Sequence, residues 1–128
     1  MKTRVLIVDD HPTYCQLLQT AAEARGFRVL PPVEQASDAI ETFKREQPEI
    51  VVLDLHLPGD VDAFALIEFM LDLDGNTRVV AASSFPEGNL VDRAFGRGAH
   101  RCLRKPFHMD DALRLFDHLG RELNALPV

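Results

Sequence analysis

Three stretches of the chain are apolar without interruption: Val5-Leu6-Ile7-Val8, Ile50-Val51-Val52-Leu53 and Val79-Val80-Ala81-Ala82. They are rich in β-branched residues and show no polar alternation, the pattern of strands buried on both faces. Between them the apolar positions recur at helical spacing. Tyr14, Leu17, Leu18 and Ala21 form one stripe, which starts in the turn containing Pro12 and ends at Gly26. Ala36, Ala39, Ile40 and Phe43 form a second, closed by Pro48. Phe64, Ile67, Met70 and Leu71 form a third, with Asp62 as its cap and Asp74-Gly75-Asn76 as the following turn. Leu66 and Phe69 make that helix apolar on more than one face, as a core helix or a partner surface requires.

Two shorter runs complete the pattern. Phe27 to Leu30 reads as a strand closed by Pro31-Pro32, and Cys102-Leu103 reads as a fifth strand within 101–104. A fourth helix is predicted from Pro86 to Gly98, with Leu90, Val91, Ala94 and Phe95 on one side. A fifth is predicted from Met109 to Leu123, with Leu113, Phe116 and Leu123 as the inner stripe. Leu115 and Leu119 fall off that stripe, which suggests either edge-of-core packing or contact with a partner or a second copy of the chain. Five strand–helix alternations with short connections predict one α/β domain over 1–128, a parallel sheet with helices on both faces.

Composition narrows the picture. The 128 residues suffice for one sizeable core. No apolar run approaches the ~20 residues of a membrane span, and no signal peptide is visible, so a cytoplasmic location without membrane attachment is the expectation. A formal charge of -6 argues against direct nucleic-acid binding. That charge is uneven: residues 1–75 carry 6 basic and 14 acidic side chains, whereas 76–128 carry 8 basic and 6 acidic. Cys15 and Cys102 form no metal-type pair and read as small hydrophobes.

The chemistry gathers at the ends of the strands. Asp9 and Asp10 follow the first run, Asp54 the third strand, Ser83 the fourth and Lys105 the fifth. Each alone has an ordinary explanation as a cap, a turn residue or a solvated charge. In a parallel sheet, however, all these ends share one edge, and ligands bind there in open α/β sheets. Clustered carboxylates need a cation, and oxygen donors without a Cys or His set favour Mg²⁺. A lysine and a hydroxyl beside them suit a phosphoryl group, with one carboxylate as nucleophile.

With Val8-Asp9-Asp10-His11-Pro12, Leu53-Asp54-Leu55-His56-Leu57-Pro58-Gly59, Ser83 and Lys105-Pro106-Phe107 in place, the chain resembles the receiver domains of two-component response regulators over nearly its whole length. The resemblance implies the flavodoxin-like strand order 2-1-3-4-5 and a phosphorelay switch. Asp54 would accept a phosphoryl group from a phosphohistidine on a sensor histidine kinase or histidine phosphotransfer protein. Mg²⁺ would be held by Asp10, Asp54 and the backbone carbonyl of His56, with Asp9 acting mostly through water. Lys105 and Ser83 would bind phosphoryl oxygens, and Lys105-Pro106 would be a cis peptide. The only enzymatic chemistry implied is self-phosphorylation and autodephosphorylation.

Several positions depart from the family pattern. Cys102 stands where an aromatic residue usually reports phosphorylation, and Ala63 stands where glycine is common after a loop one residue longer than usual. His56 and Phe85 occupy the positions that tune water attack, and the bulky Phe85 implies a long-lived phosphorylated state. The output face would be residues 86–123, acting on a downstream effector or effector domain. Two other functions compete with the switch: an unphosphorylated pseudo-receiver scaffold, and a hydrolase built on the same metal and aspartate. The chain would be a stand-alone receiver or the N-terminal part of a DNA-binding regulator.

Overall fold

A computed structural model describes residues 2–59, 61–84 and 89–124. The elements alternate as predicted: β1 (Arg4–Val8), α1 (Pro12–Ala24), β2 (Arg28–Val29), α2 (Ala36–Glu46), β3 (Ile50–Asp54), α3 (Ala63–Leu73), β4 (Arg78–Ser83), α4 (Leu90–Gly96), β5 (Arg101–Arg104) and α5 (Met109–Asn124). The five strands form one sheet in the order β2-β1-β3-β4-β5, and every neighbouring pair is parallel.

The continuous apolar runs are explained by two cores, one on each side of the sheet. Leu6, Val8, Val51, Leu53, Val79 and Ala81 point to the side covered by α2, α3 and α4. Val5, Ile7, Ile50, Val52, Val80, Ala82 and Leu103 point to the side covered by α1 and α5. Alternate residues of each strand therefore meet different helices, and a polar residue on either side would be stranded.

Local chemistry sets the boundaries. Asp62 caps α3 by accepting a 2.7 Å hydrogen bond from the Phe64 N–H. Past α4, Gly98 adopts φ +114°, and a Cβ there would run into the Leu71 side chain on α3. At the start of α5, Asp111 accepts from the His108 N–H at 2.9 Å, and this bond holds its carboxyl below the usual range.

Two expectations need correction, and a third falls partly outside the described residues. β2 is only two residues long, although the Leu30 N–H still donates to the Val5 carbonyl at 2.9 Å and Phe27 and Leu30 pack into the two cores. The described part of α4 begins at Leu90; Pro86 and Phe85 lie outside the described residues. In α5 the inner stripe is Ala112, Leu115, Phe116 and Leu119, while Leu113 and Leu123 are only half-buried. Leu115 and Leu119 are thus core residues, not an exposed contact. Among the described residues, no helix is long and apolar enough to cross a membrane.

His100 ties β4 to the start of β5. Its ring Nδ1 accepts from the Val79 N–H at 3.1 Å, and its own N–H donates to the Val79 carbonyl at 2.8 Å. Burial pushes its pKa below the ordinary 6.5, Arg78 acts in the same direction, and Glu122 opposes. The unfolded chain therefore binds more protons than the folded one just below pH 6.5. Stability is expected to fall as pH drops through that region. His100→Asn keeps an acceptor for Val79 but cannot titrate, so urea unfolding between pH 7.5 and 5.5 should show a shallower pH dependence than wild type. An equal slope in both proteins would exclude His100 as its source.

Candidate functional site

The parallel register delivers the strand-end residues to one edge. Val8 is paired with Leu53, so Asp9 and Asp54 both lie one residue beyond that pair. Asp54 is paired with Ala82, and Ser83 with Arg104, which places Lys105 beside them. The Lys105 N–H donates to the Ser83 carbonyl at 2.9 Å, and Lys105-Pro106 is cis, as expected. These contacts turn the lysine back over the sheet edge.

The result is a buried charged cluster. Lys105 Nζ donates to Asp9 Oδ2 at 2.6 Å and lies 3.6 Å from Asp54 Oδ2, with all three side chains only 2–3% exposed. The ammonium also sits 4.7 Å from the centre of the Tyr14 ring, which packs on Phe107. Asp54 Oδ1 accepts from the His56 N–H at 2.9 Å. Asp54 Oδ2 is buried without a hydrogen bond among the described residues. Asp10, further out, is 40% exposed.

Of the residues predicted for this site, Asp9, Asp10, Asp54 and Lys105 meet directly. Ser83 is buried one step away, with Oγ 3.3 Å from His56 Nε2. The His56 ring therefore lies against Ser83. Phe85 lies outside the described residues. Ala63 is the first residue of α3 and is buried, so it belongs to the helix rather than to the loop.

The structure adds His11, which the sequence reading left out, to this cluster. Its Nδ1 is 2.9 Å from Asp9 Oδ1, 3.1 Å from Asp10 Oδ1 and 3.9 Å from Asp54 Oδ2. Asp9, Asp10, His11 and Asp54 each present a donor atom within 4.8 Å of the others. The signal available in the sequence is its adjacency to the two carboxylates, although Pro12 marks the same stretch as a helix start. Tyr14, the aromatic wall behind Lys105, shows in the sequence only the spacing of a core position.

This donor set suits a divalent cation. Asp9 and Asp54 share one lysine, and a buried carboxylate oxygen without a hydrogen bond is costly unless something polar or cationic meets it. An acidic Asp-Asp-His-Asp cluster of this kind fits the Mg²⁺ site typical of receiver domains. Neither cysteine competes as a nucleophile. Burial pushes the Cys15 thiol up to about 11, the Asp9 carboxylate adding to the effect, and its Sγ donates to the Asp9 carbonyl at 3.4 Å. Cys102 is half-buried on β5, and burial raises its pKa while Arg104 opposes. It lines a groove of about 640 Å³ between α4, β5 and α5, together with Phe95, Arg104, Leu115 and His118.

Comparison with known proteins agrees with the geometry. The family model for the response regulator receiver domain matches residues 5–117. The chain is 27% identical over 124 residues to the chemotaxis protein CheY of Bacillus subtilis, covering 97% of this chain and 100% of that protein. The sporulation initiation phosphotransferase F of the same organism is 27% identical over 111 residues, covering 87% of this chain and 88% of that protein. Among solved structures, the signal receiver domain of a protein described as a Luxo repressor from Vibrio parahaemolyticus superposes with a TM-score of 0.82 at 27% identity. That match covers 97% of this chain and 92% of the other.

Proposed function

The chain belongs to the response regulator receiver domain family, and from that premise we propose that residues 1–128 act as a phosphorylation switch whose acceptor is Asp54. The donor is a phosphohistidine on a sensor histidine kinase or histidine phosphotransfer protein, which places the switch in the cytoplasm. A carboxylate oxygen of Asp54 attacks the phosphorus, the P–N bond breaks, and the imidazole leaves with the bonding pair. The product is an acyl phosphate, which water later cleaves.

The burial of Asp54 at the sheet edge, with one oxygen left without a hydrogen bond, is the observation that carries this reading. Asp10, Asp54 and the His56 carbonyl would hold Mg²⁺, with Asp9 contributing through water. The ion supplies positive charge for the transferred oxygens, the usual role of metals in phosphoryl transfer. Tyr14 and Phe107 keep the Lys105 ammonium at the buried edge. Ser83 offers its hydroxyl from β4.

The resting ion pair limits how far the switch moves. Lys105 already holds Asp9 at 2.6 Å, so turning to a phosphoryl oxygen exchanges one charge-assisted bond for another. Moving an equilibrium from 1:99 to 99:1 requires about 5.5 kcal/mol of preference. One new hydrogen bond from Ser83 to a charged group supplies about 1.5–3 kcal/mol. A partial population shift is the consequence. The shift is passed to an effector through α4, β5 and α5, where Cys102 and Arg104 replace an aromatic lever with a groove of basic character.

Incubation with Mg²⁺ and acetyl phosphate, followed by intact-mass measurement, tests the proposal. A mass gain of one phosphoryl group is expected. A chain that never gains it, with either acetyl phosphate or a phosphohistidine donor, is a scaffold; phosphate release without an adduct indicates a hydrolase.

A further inference from the structure

The histidine in the acidic cluster gives the cation site a nitrogen donor. In an octahedral site with bonds of about 2.1 Å, adjacent donors lie about 3 Å apart and opposite donors about 4.2 Å apart. His11 Nδ1 is 2.9 Å from Asp9 Oδ1 and 3.1 Å from Asp10 Oδ1, near the adjacent spacing. It is 3.9 Å from Asp54 Oδ2, near the opposite spacing. That oxygen is independently the one buried in the cluster without a hydrogen bond. The His11 side chain is 58% exposed, so its Nε2 can carry the ring hydrogen toward water while Nδ1 turns its lone pair inward.

From this arrangement we infer that His11 Nδ1 is a protein ligand of the cation and gives the site a preference for nitrogen-seeking divalent ions over Mg²⁺. Oxygen-only sites suit Mg²⁺, whereas imidazole suits Ni²⁺, Zn²⁺ and their neighbours, whose affinities rise along the first transition row. The inference rests on the reading of the carboxylates as a cation site and adds to it a discrimination among ions. Mg²⁺ gains little from an imidazole and would be held by the oxygen donors. Ni²⁺ gains a bond that the carboxylates cannot replace.

The competing role for the same contacts is an internal counter-ion. A His11 ring donating to Asp9 would occupy the place of the metal rather than bind it, and its removal would then open the site to every cation.

Calorimetric titration of untagged wild type, His11→Ala and His11→Asn with Mg²⁺, Mn²⁺ and Ni²⁺ separates the two roles. Asp54→Asn identifies which binding event belongs to the carboxylate site. In the His11 variants, Ni²⁺ affinity at that site is expected to fall about tenfold or more, and Mg²⁺ affinity to change less than about twofold. Electron paramagnetic resonance of the Cu²⁺-loaded protein should show coupling to an imidazole nitrogen that His11→Ala removes. Equal tightening for all three ions would establish the counter-ion and overturn the inference. Unchanged affinities in the variants would overturn it too. Absence of any divalent binding by wild type would overturn it together with the cation reading, whereas the acetyl phosphate adduct judges Asp54 separately.

Discussion

Lys105→Met is expected to destabilise the metal-free protein by about 3–5 kcal/mol, because it removes a buried cation that faces two buried carboxylates. Methionine keeps the volume but leaves Asp9 and Asp54 uncompensated beside each other. Added Mg²⁺ should recover part of the loss, since a bound cation favours the folded state by mass action. The rate of adduct formation should remain about 10²–10³-fold low, as when one donor to developing negative charge is removed. Asp54→Asn should behave oppositely. It abolishes the adduct, removes one of three repelling carboxylates and offers amide donors to the others, so the metal-free protein should be no less stable than wild type. Urea unfolding with and without Mg²⁺, beside intact-mass time courses, checks both variants. A Lys105→Met protein as stable as wild type would show that the carboxylates are not in electrostatic conflict.

The parallel sheet was accessible from the sequence because the runs at residues 5–8, 50–53 and 79–82 carry no polar alternation, whereas its strand order came only from the resemblance to receiver domains. Burial on both faces leaves that mark, and the structure shows two cores sharing those strands. The site was accessible for a related reason. A charged residue directly after such a run must sit at the sheet edge, and parallel pairing puts all such edges together. What escaped was whatever depends on the direction of a side chain off a helix or loop. His11 lies between a strand end and a proline, and nothing in spacing alone says that its ring turns back over Asp9 and Asp10. Tyr14 fits a helical stripe equally well whether it faces the core or stands behind Lys105.

Cys102 shows where a local substitution alters the environment more than the chemistry. A cysteine on β5 is too small to fill the space between α4 and α5, and the open groove beside it is bordered by Arg104, Arg114 and His118. Arg114 is paired with Asp111 and Arg101 with Glu122, whereas Arg104 has no ion-pair partner among the described residues. A signal leaving through this face would therefore be read as charge and shape together, not as the rotation of a ring.

Leu119→Ala is expected to cost about 2–5 kcal/mol, the range for removing a fully enclosed leucine side chain. The sequence pattern of α5 is ambiguous because two leucine rows flank Phe116, one through Leu113 and Leu123, the other through Leu115 and Leu119. The structure turns the second row inward: Leu119 is 0% exposed and Leu115 is 6% exposed. The reason is the partner surface. Ala21 and Ala22 of α1 and Ala82 of β4 are small, and Ala112 completes the stripe, so the second row packs closely where the first would leave Phe116 at its edge. An exposed leucine would change stability by no more than about 0.5 kcal/mol, so urea unfolding distinguishes the two orientations. Leu113→Ala, at a half-buried position, should cost less than Leu119→Ala. The reverse ranking would restore the outward-facing row and, with it, a leucine seam for a second copy of the chain. With the expected ranking, α5 presents Arg114, His118 and Arg121 outward together with Asp110. Any partner that meets this helix then meets charges of both signs on a rigid support.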